Sequence, residues 1–130
     1  GYKLVRSAIA QGVKIEPIPG ATAVIAALTI SGLPPDKFLF LGFLPKKETK
    51  KKELLESVAS SKIKSTTIIY ESPYRVIKTL DLIKNVLGDI ELVVCRELTK
   101  MHEELLRGKA SELIAGFEKK APKGEFVILF

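Results

Sequence analysis

The sequence predicts an α/β fold, with a mixed, mainly parallel sheet and helices on both faces, and three observations carry that reading. Apolar runs short enough to be strands alternate with longer stretches whose apolar residues recur at helical spacing. Glycine and proline punctuate most of the junctions between them. The clearest junction, Tyr70-Glu71-Ser72-Pro73-Tyr74-Arg75, closes one apolar run and opens an amphipathic one.

Taken in order, Lys3 to Gln11 reads as a helix that stops at Gly12. Val13 to Ile18 alternates apolar and polar residues as a short strand does, and Pro17 puts it at an edge or near its end. After the Pro19-Gly20 turn, Ala21 to Ile30 is small and apolar almost all round. It is expected to be a helix buried on most faces, ended by Gly32. Pro34-Pro35 forces an extended connection. Phe38 to Leu44 is a continuous apolar run ending at Pro45, which reads as a central strand covered on both faces.

Lys46, Lys47, Lys50, Lys51 and Lys52 crowd the next loop and helix, where Leu54, Leu55 and Val58 give the apolar stripe. Thr66 to Tyr70 is β-branched and aromatic, as a buried strand should be. Val76, Ile77, Leu80, Ile83 and Leu87 then mark a helix. Ser72 is placed to cap it, Pro73 fits its first position, and Gly88 supplies a left-handed end. Leu92 to Cys95 is a strand, while Glu97 to Ala110 reads equally as a helix or a short strand. Ser111 to Lys119 is a helix with Leu113, Ile114 and Phe117 inward, and Phe126 to Phe130 is a last buried strand.

The 130 residues, 46% of them hydrophobic, suffice for one domain with a sizeable core. No run approaches the length of a membrane span, and the first residues do not read as a signal peptide. Gly1-Tyr2 runs straight into a helix and the last strand ends the chain, so a piece of a longer protein is expected. Cys95 ends an apolar run and is expected to be a small buried hydrophobe; as a nucleophile it would need the single histidine, His102, to fold back onto it. One Cys and one His argue against a zinc site, so no metal is expected. Lone-cysteine usage suits a cytoplasmic protein. The net charge of +6 favours an anionic partner. The lysine run suits phosphate contacts, and it would equally serve as a solvated surface.

In an open α/β sheet, ligands bind at the turns beyond the carboxyl ends of strands. Glu71 and Arg75 set a carboxylate and a guanidinium on such a turn, as part of a site or as a surface ion pair at a helix start.

Several segments occur together in a recognisable order: Ile18-Pro19-Gly20-Ala21-Thr22-Ala23, Ser31-Gly32-Leu33-Pro34, Gly42-Phe43-Leu44-Pro45-Lys46-Lys47 and Tyr70-Glu71-Ser72-Pro73-Tyr74-Arg75. Arg96-Glu97-Leu98-Thr99-Lys100, His102-Glu103-Glu104, Arg107-Gly108 and Gly124-Glu125 follow. This succession closely resembles the bacterial ribosomal RNA small subunit methyltransferase I family, within the tetrapyrrole methylase superfamily.

The resemblance implies an S-adenosylmethionine-dependent ribose 2′-O-methyltransferase acting on a cytidine of 16S rRNA. It also implies two α/β domains with the donor in the cleft between them. Gly1 to Pro19 would be the last helix and strand of the first domain, and Gly20 to Phe130 the second. The family's glycine- and aspartate-rich donor loops are absent, so this chain would hold half of the donor site. The expected partners are 16S rRNA or the small ribosomal subunit and a second copy in a homodimer, with no membrane.

Carried over by the resemblance, the donor-facing residues are Ala21, Thr22, Ala23, Phe43, Leu44, Tyr70, Glu71, Gly124, Glu125 and Phe126. Methyl transfer to a hydroxyl is an in-line displacement in which alignment supplies much of the acceleration and a base removes one proton. Glu71, Arg75, Glu97 and Lys100 are the catalytic candidates, and Lys46, Lys47, Lys50, Lys51, Arg96 and Arg107 the RNA-facing ones. Tyr74 stands where the family usually has His. Two other readings are a small-molecule methylase acting on a tetrapyrrole, and a non-catalytic module that docks RNA or dimerises.

Overall fold

A computed structural model describes residues 1–130. The elements run in the order α1 (Tyr2–Ala10), α2 (Ala23–Ser31), β1 (Phe38–Phe43), α3 (Glu48–Ala59), β2 (Thr66–Glu71), α4 (Val76–Leu87), β3 (Glu91–Arg96), β4 (Glu104–Lys109), α5 (Ala110–Lys119) and β5 (Phe126–Leu129). The ambiguous segment after Glu97 becomes a loop and β4.

The five strands form one sheet in the order β1-β2-β5-β3-β4. Side chains alternate across it, so each strand supplies two layers. Ile69, Val94 and Ile128 face α3, α4 and α5, meeting Leu55, Leu80, Ile83, Leu113 and Phe117. Ile68, Val93, Cys95, Val127 and Leu129 face α2, meeting Val24, Ala27 and Leu28. Each such side chain, taken from water, contributes roughly 1.5–3 kcal/mol. Helices therefore cover both faces, as the sequence predicts.

The class is α/β and the sheet is mixed, but the balance of pairings differs from the expectation. Only β1 and β2 pair parallel; β2–β5, β5–β3 and β3–β4 are antiparallel. The short loop 97–103 allows β4 only an antiparallel return beside β3. The α5 connection then carries the chain across β3, so that β5 enters between β2 and β3 against both. Strand composition carries no information about direction, which is why this escapes a sequence reading.

β1 is an edge strand, not a central one. Phe38, Leu39 and Phe40 are each about two-fifths exposed (43%, 40% and 43%). A continuous apolar run is compatible with either position, and here β1's outer side has no neighbour. The register slips between Phe40 and Gly42, where Gly42 takes a φ of 67° that favours glycine.

Val13 to Ile18 forms no strand; Val13, Ile15 and Ile18 are exposed and pair with nothing. An alternating segment becomes a strand only where another edge receives it. Helix α1 likewise buries no residue. Helix α2 buries only Val24, Ala27, Leu28 and Ser31, leaving Ile25 and Ile30 partly exposed, and it ends at Gly32 in the left-handed conformation. Helix α4 starts at Val76 rather than at Pro73. The Ser72 carbonyl accepts the N–H groups of Arg75 and Val76, so a tight turn precedes the helix and the Ser72 hydroxyl does not cap it. Gly88 ends α4 at φ 88° and ψ 178°, an extended positive-φ conformation rather than the helical left-handed one.

Candidate functional site

The carboxyl ends of β1 and β2, the first residues of α2 and the entry to β5 converge on one side of the sheet. They enclose a cavity of about 400 Å³ lined by Ala23, Phe43, Tyr70, Glu71, Ser72, Pro73, Gly124, Glu125, Phe126 and Val127. Most of the residues expected to face a donor thus meet in one place, from four separate stretches of chain. Ala21, Thr22 and Leu44 do not line it. Leu44 is buried in the core under α3 and α4, and Ala21 and Thr22 lie exposed just before α2. Ser72, Pro73 and Val127 join it without having been foreseen. Val127 lies there because it pairs with Tyr70, a register that the sequence does not display.

One wall is aromatic, formed by Phe43 and Tyr70. Phe40 and Phe43 meet the Tyr70 ring edge-on, with centroids 4.8 and 5.7 Å away. Phe43 stays 62% exposed, so its other face is open to a ligand. Thr22 places no side-chain cap on α2, which leaves the first-turn N–H groups beside Ala23 without a side-chain acceptor.

Beneath this wall Glu71 holds a polar network. Its side chain is fully buried. Oε1 accepts the Ser72 N–H at 2.8 Å, and Oε2 accepts the Thr79 hydroxyl at 2.8 Å and Arg75 Nη2 at 3.1 Å. Arg75 Nε lies 3.0 Å from Oε1 without hydrogen-bond geometry, so that contact is electrostatic only. Arg75 Nη2 also donates to the Leu44 carbonyl at 2.9 Å, tying the end of β1 to the turn after β2. Both Glu71 oxygens accept hydrogen bonds, so the carboxylate is committed to holding the turn. Thr79 is the partner that sequence reasoning missed; a polar residue on the apolar face of α4 was the available signal.

Behind the Glu125 wall, Lys100 Nζ bridges Glu97 Oε1 at 3.1 Å and Glu125 Oε2 at 2.9 Å. The Glu125 N–H on the Glu97 carboxylate, and then Lys100, hold Glu97 below the usual carboxylate range. Glu125 and then Glu97 raise Lys100. The catalytic candidates therefore occupy two clusters, Glu71–Arg75 and Glu97–Lys100; of the four only Glu71 lines the cavity, and the second cluster reaches it through Glu125.

The RNA-facing candidates scatter. Lys46, Lys47 and Lys50 are exposed at the β1–α3 connection, beside the Phe43 wall. Lys51 is only 8% exposed, so its stem packs on the core like an apolar side chain. Arg96 donates to the Lys123 carbonyl and pairs with Glu104, whose carboxyl it lowers. Arg107 donates to the carbonyls of Ile30 and Ser31 and so caps the end of α2. Cys95 is fully buried and burial pushes its thiol up to about 11, which suits a core residue and not a nucleophile.

A model of the tetrapyrrole (corrin/porphyrin) methylases matches residues 1–114. The chain belongs to that family. It is 44% identical over 129 residues to ribosomal RNA small subunit methyltransferase I of Halalkalibacterium halodurans, covering 99% of this chain and 44% of that protein. It is 40% identical over 129 residues to the protein of that name from Thermotoga maritima, covering 99% and 57%. The chain thus spans about half the length of these methylase relatives. Among solved structures, cobalt precorrin-4 methyltransferase superimposes with a TM-score of 0.66 at 20% identity, over 98% of this chain and 56% of that one. Uroporphyrin-III C-methyltransferase from Thermus thermophilus, in complex with S-adenosyl homocysteine, gives 0.60 at 18% identity over 99% and 58%. The last two likenesses speak for the methylase fold alone.

Proposed function

We propose that this chain is one half of an S-adenosylmethionine-dependent methyltransferase that modifies small-subunit ribosomal RNA, at the ribose 2′-oxygen of a cytidine. The observation that carries the reading is the cavity at the strand ends. It gathers Ala23, Phe43, Tyr70, Gly124 and Phe126 on one surface. The names of the relatives favour ribosomal RNA over a tetrapyrrole as substrate.

The cavity suits half of a nucleoside sulfonium. Aromatic Phe43 and Tyr70 would cover a base or ribose face, while Phe126, its ring buried against Phe117, contributes backbone to the wall, and the uncapped start of α2 would offer backbone donors. The donor, when bound, supplies a methyl group activated on a positive sulfur. This chain's residues then hold and orient it, and keep water from its walls. Glu71 and Arg75 act as positioning residues, because their charges are already spent on the turn that forms the pocket wall. Glu125 lines the cavity with Lys100 paired to it, and in this reading Glu125 takes the proton-handling role. Lys46, Lys47 and Lys50 would meet RNA phosphates at the rim.

The relatives are about twice as long, and α1 and Val13–Ile18 find no partner here. Both facts support a companion domain that closes the cavity, with Gly1–Pro19 belonging to it. A homodimer belongs to the same reading, with exposed Phe38, Leu39 and Phe40 on the β1 edge available to it. The test is transfer of labelled methyl from S-adenosylmethionine to small ribosomal subunits by the natural full-length polypeptide, with the site mapped on 16S rRNA. Label in a cytidine ribose is expected; label on a base, or only on a tetrapyrrole, would reject the assignment.

A further inference from the structure

The loop that joins β3 to β4 is strained, and its strain is spent on the cavity wall. Glu97 and Thr99 are the only residues other than glycine with positive φ, at 50° and 65°. Such conformations cost an L-residue free energy and persist only where the surroundings over-determine them. Here they do. The Lys100 N–H donates to the Glu97 carbonyl at 3.0 Å, the Glu103 N–H to the Lys100 carbonyl at 3.1 Å, and the Thr99 N–H to Glu103 Oε2.

The twist at Glu97 turns its side chain onto the segment that enters β5. The Glu97 N–H donates to the Glu125 carbonyl at 3.0 Å, and Glu97 Oε1 accepts the Glu125 N–H at 2.8 Å. Lys100 then bridges the two carboxylates. The fit leaves no room beside it: a Cβ at Gly124, itself at φ 94°, would lie 2.6 Å from the Glu97 side chain. Gly124, Glu125 and Phe126 are the residues this clamp holds, and all three line the cavity.

We propose that Glu97 is a positioning residue, not the base, and that its carboxylate fixes the Gly124–Phe126 wall in the geometry that binds the methyl donor. This rests on the donor-site reading given above. A plain loop-stabilising glutamate makes the opposite forecast for one substitution. Glycine at 97 removes the backbone strain, so a residue that served only the loop would be replaced there at no loss to the pocket.

The test is isothermal titration of S-adenosylmethionine into the natural full-length polypeptide, alongside thermal unfolding, for wild type, Glu97→Gly and Glu97→Gln. The glycine variant is expected to unfold close to the wild-type temperature, relief of strain offsetting the lost hydrogen bond and ion pair, yet to bind the donor with a Kd raised roughly tenfold or more. Glutamine keeps an acceptor for the Glu125 N–H and should restore the Kd to within about threefold of wild type. An unchanged Kd in the glycine variant would overturn the proposal. So would a fall in stability that parallels the loss of affinity, or a glutamine variant no better than glycine. A wild type that binds no donor would remove the donor-site reading itself, and the proposal with it.

Discussion

Removing the Glu71 carboxylate is the perturbation whose cost can be worked most directly from the structure. The side chain is fully buried and serves the Ser72 N–H, the Thr79 hydroxyl and the Arg75 guanidinium, which is itself only 26% exposed. Glu71→Ala leaves the Ser72 N–H and the Thr79 hydroxyl without their acceptor and Arg75 without its counter-charge, with only the Leu44 carbonyl still accepting from the guanidinium. Breaking a buried ion pair from one side costs about 3–5 kcal/mol. The partial exposure of Arg75 puts the expectation at about 3 kcal/mol, the lower end. A domain of this size is stable by about 5–15 kcal/mol, so at least a fifth of the total is at stake. Thr79→Val removes one hydroxyl and should cost about 1–2 kcal/mol. Because both changes act on Oε2, the double variant should lose less than the sum, with a coupling of about 0.5–3 kcal/mol. Urea unfolding followed by circular dichroism at neutral pH measures all three. A Glu71→Ala loss below about 1 kcal/mol, or strict additivity with Thr79→Val, would refute the network as the anchor of this turn.

Other expectations concern the surface. Phe43→Ala should cost under about 1 kcal/mol of stability, since the ring is largely exposed, yet raise the donor Kd about tenfold in a titration. Replacing Lys46, Lys47 and Lys50 by Gln should lower the salt slope of rRNA-fragment binding by about 2, at roughly 0.7 for each phosphate of single-stranded RNA that is no longer neutralised. Glu104 is held below its ordinary value of 4.5, first by Arg96 and then by Lys120. Its contribution to stability is therefore complete above that ordinary value and disappears as pH falls through the lower folded one. The melting temperature should stay level from neutral pH to about 5 and fall below it, with a shallower fall in Glu104→Gln.

The sequence displays its elements more plainly than their arrangement. Helical spacing located α4 and α5, and the β-branched run located β2, because each depends on side chains close in sequence. The edge position of β1 and the direction of β5 depend on partners far along the chain, and an all-apolar run looks the same in either place. The strand expected at Val13–Ile18 had the right alternation but no edge to join. Within the site, Phe43, Tyr70 and Phe126, which the resemblance groups as donor-facing, line one cavity. The resemblance could not show that Lys51 is buried, that Arg107 closes α2, or that Thr79 completes the Glu71 network. Those roles follow from contacts across the sheet.

The central claim is that the corners beyond β1, β2 and the entry to β5 grip the donor. Ultraviolet crosslinking of labelled S-adenosylmethionine to the natural full-length polypeptide, followed by peptide mapping, tests it most directly. The account predicts label within Tyr70–Pro73 or Gly124–Val127, competed away by S-adenosyl homocysteine. Label confined to the far side of the sheet, around Leu106, Leu113 and Lys120, would contradict it.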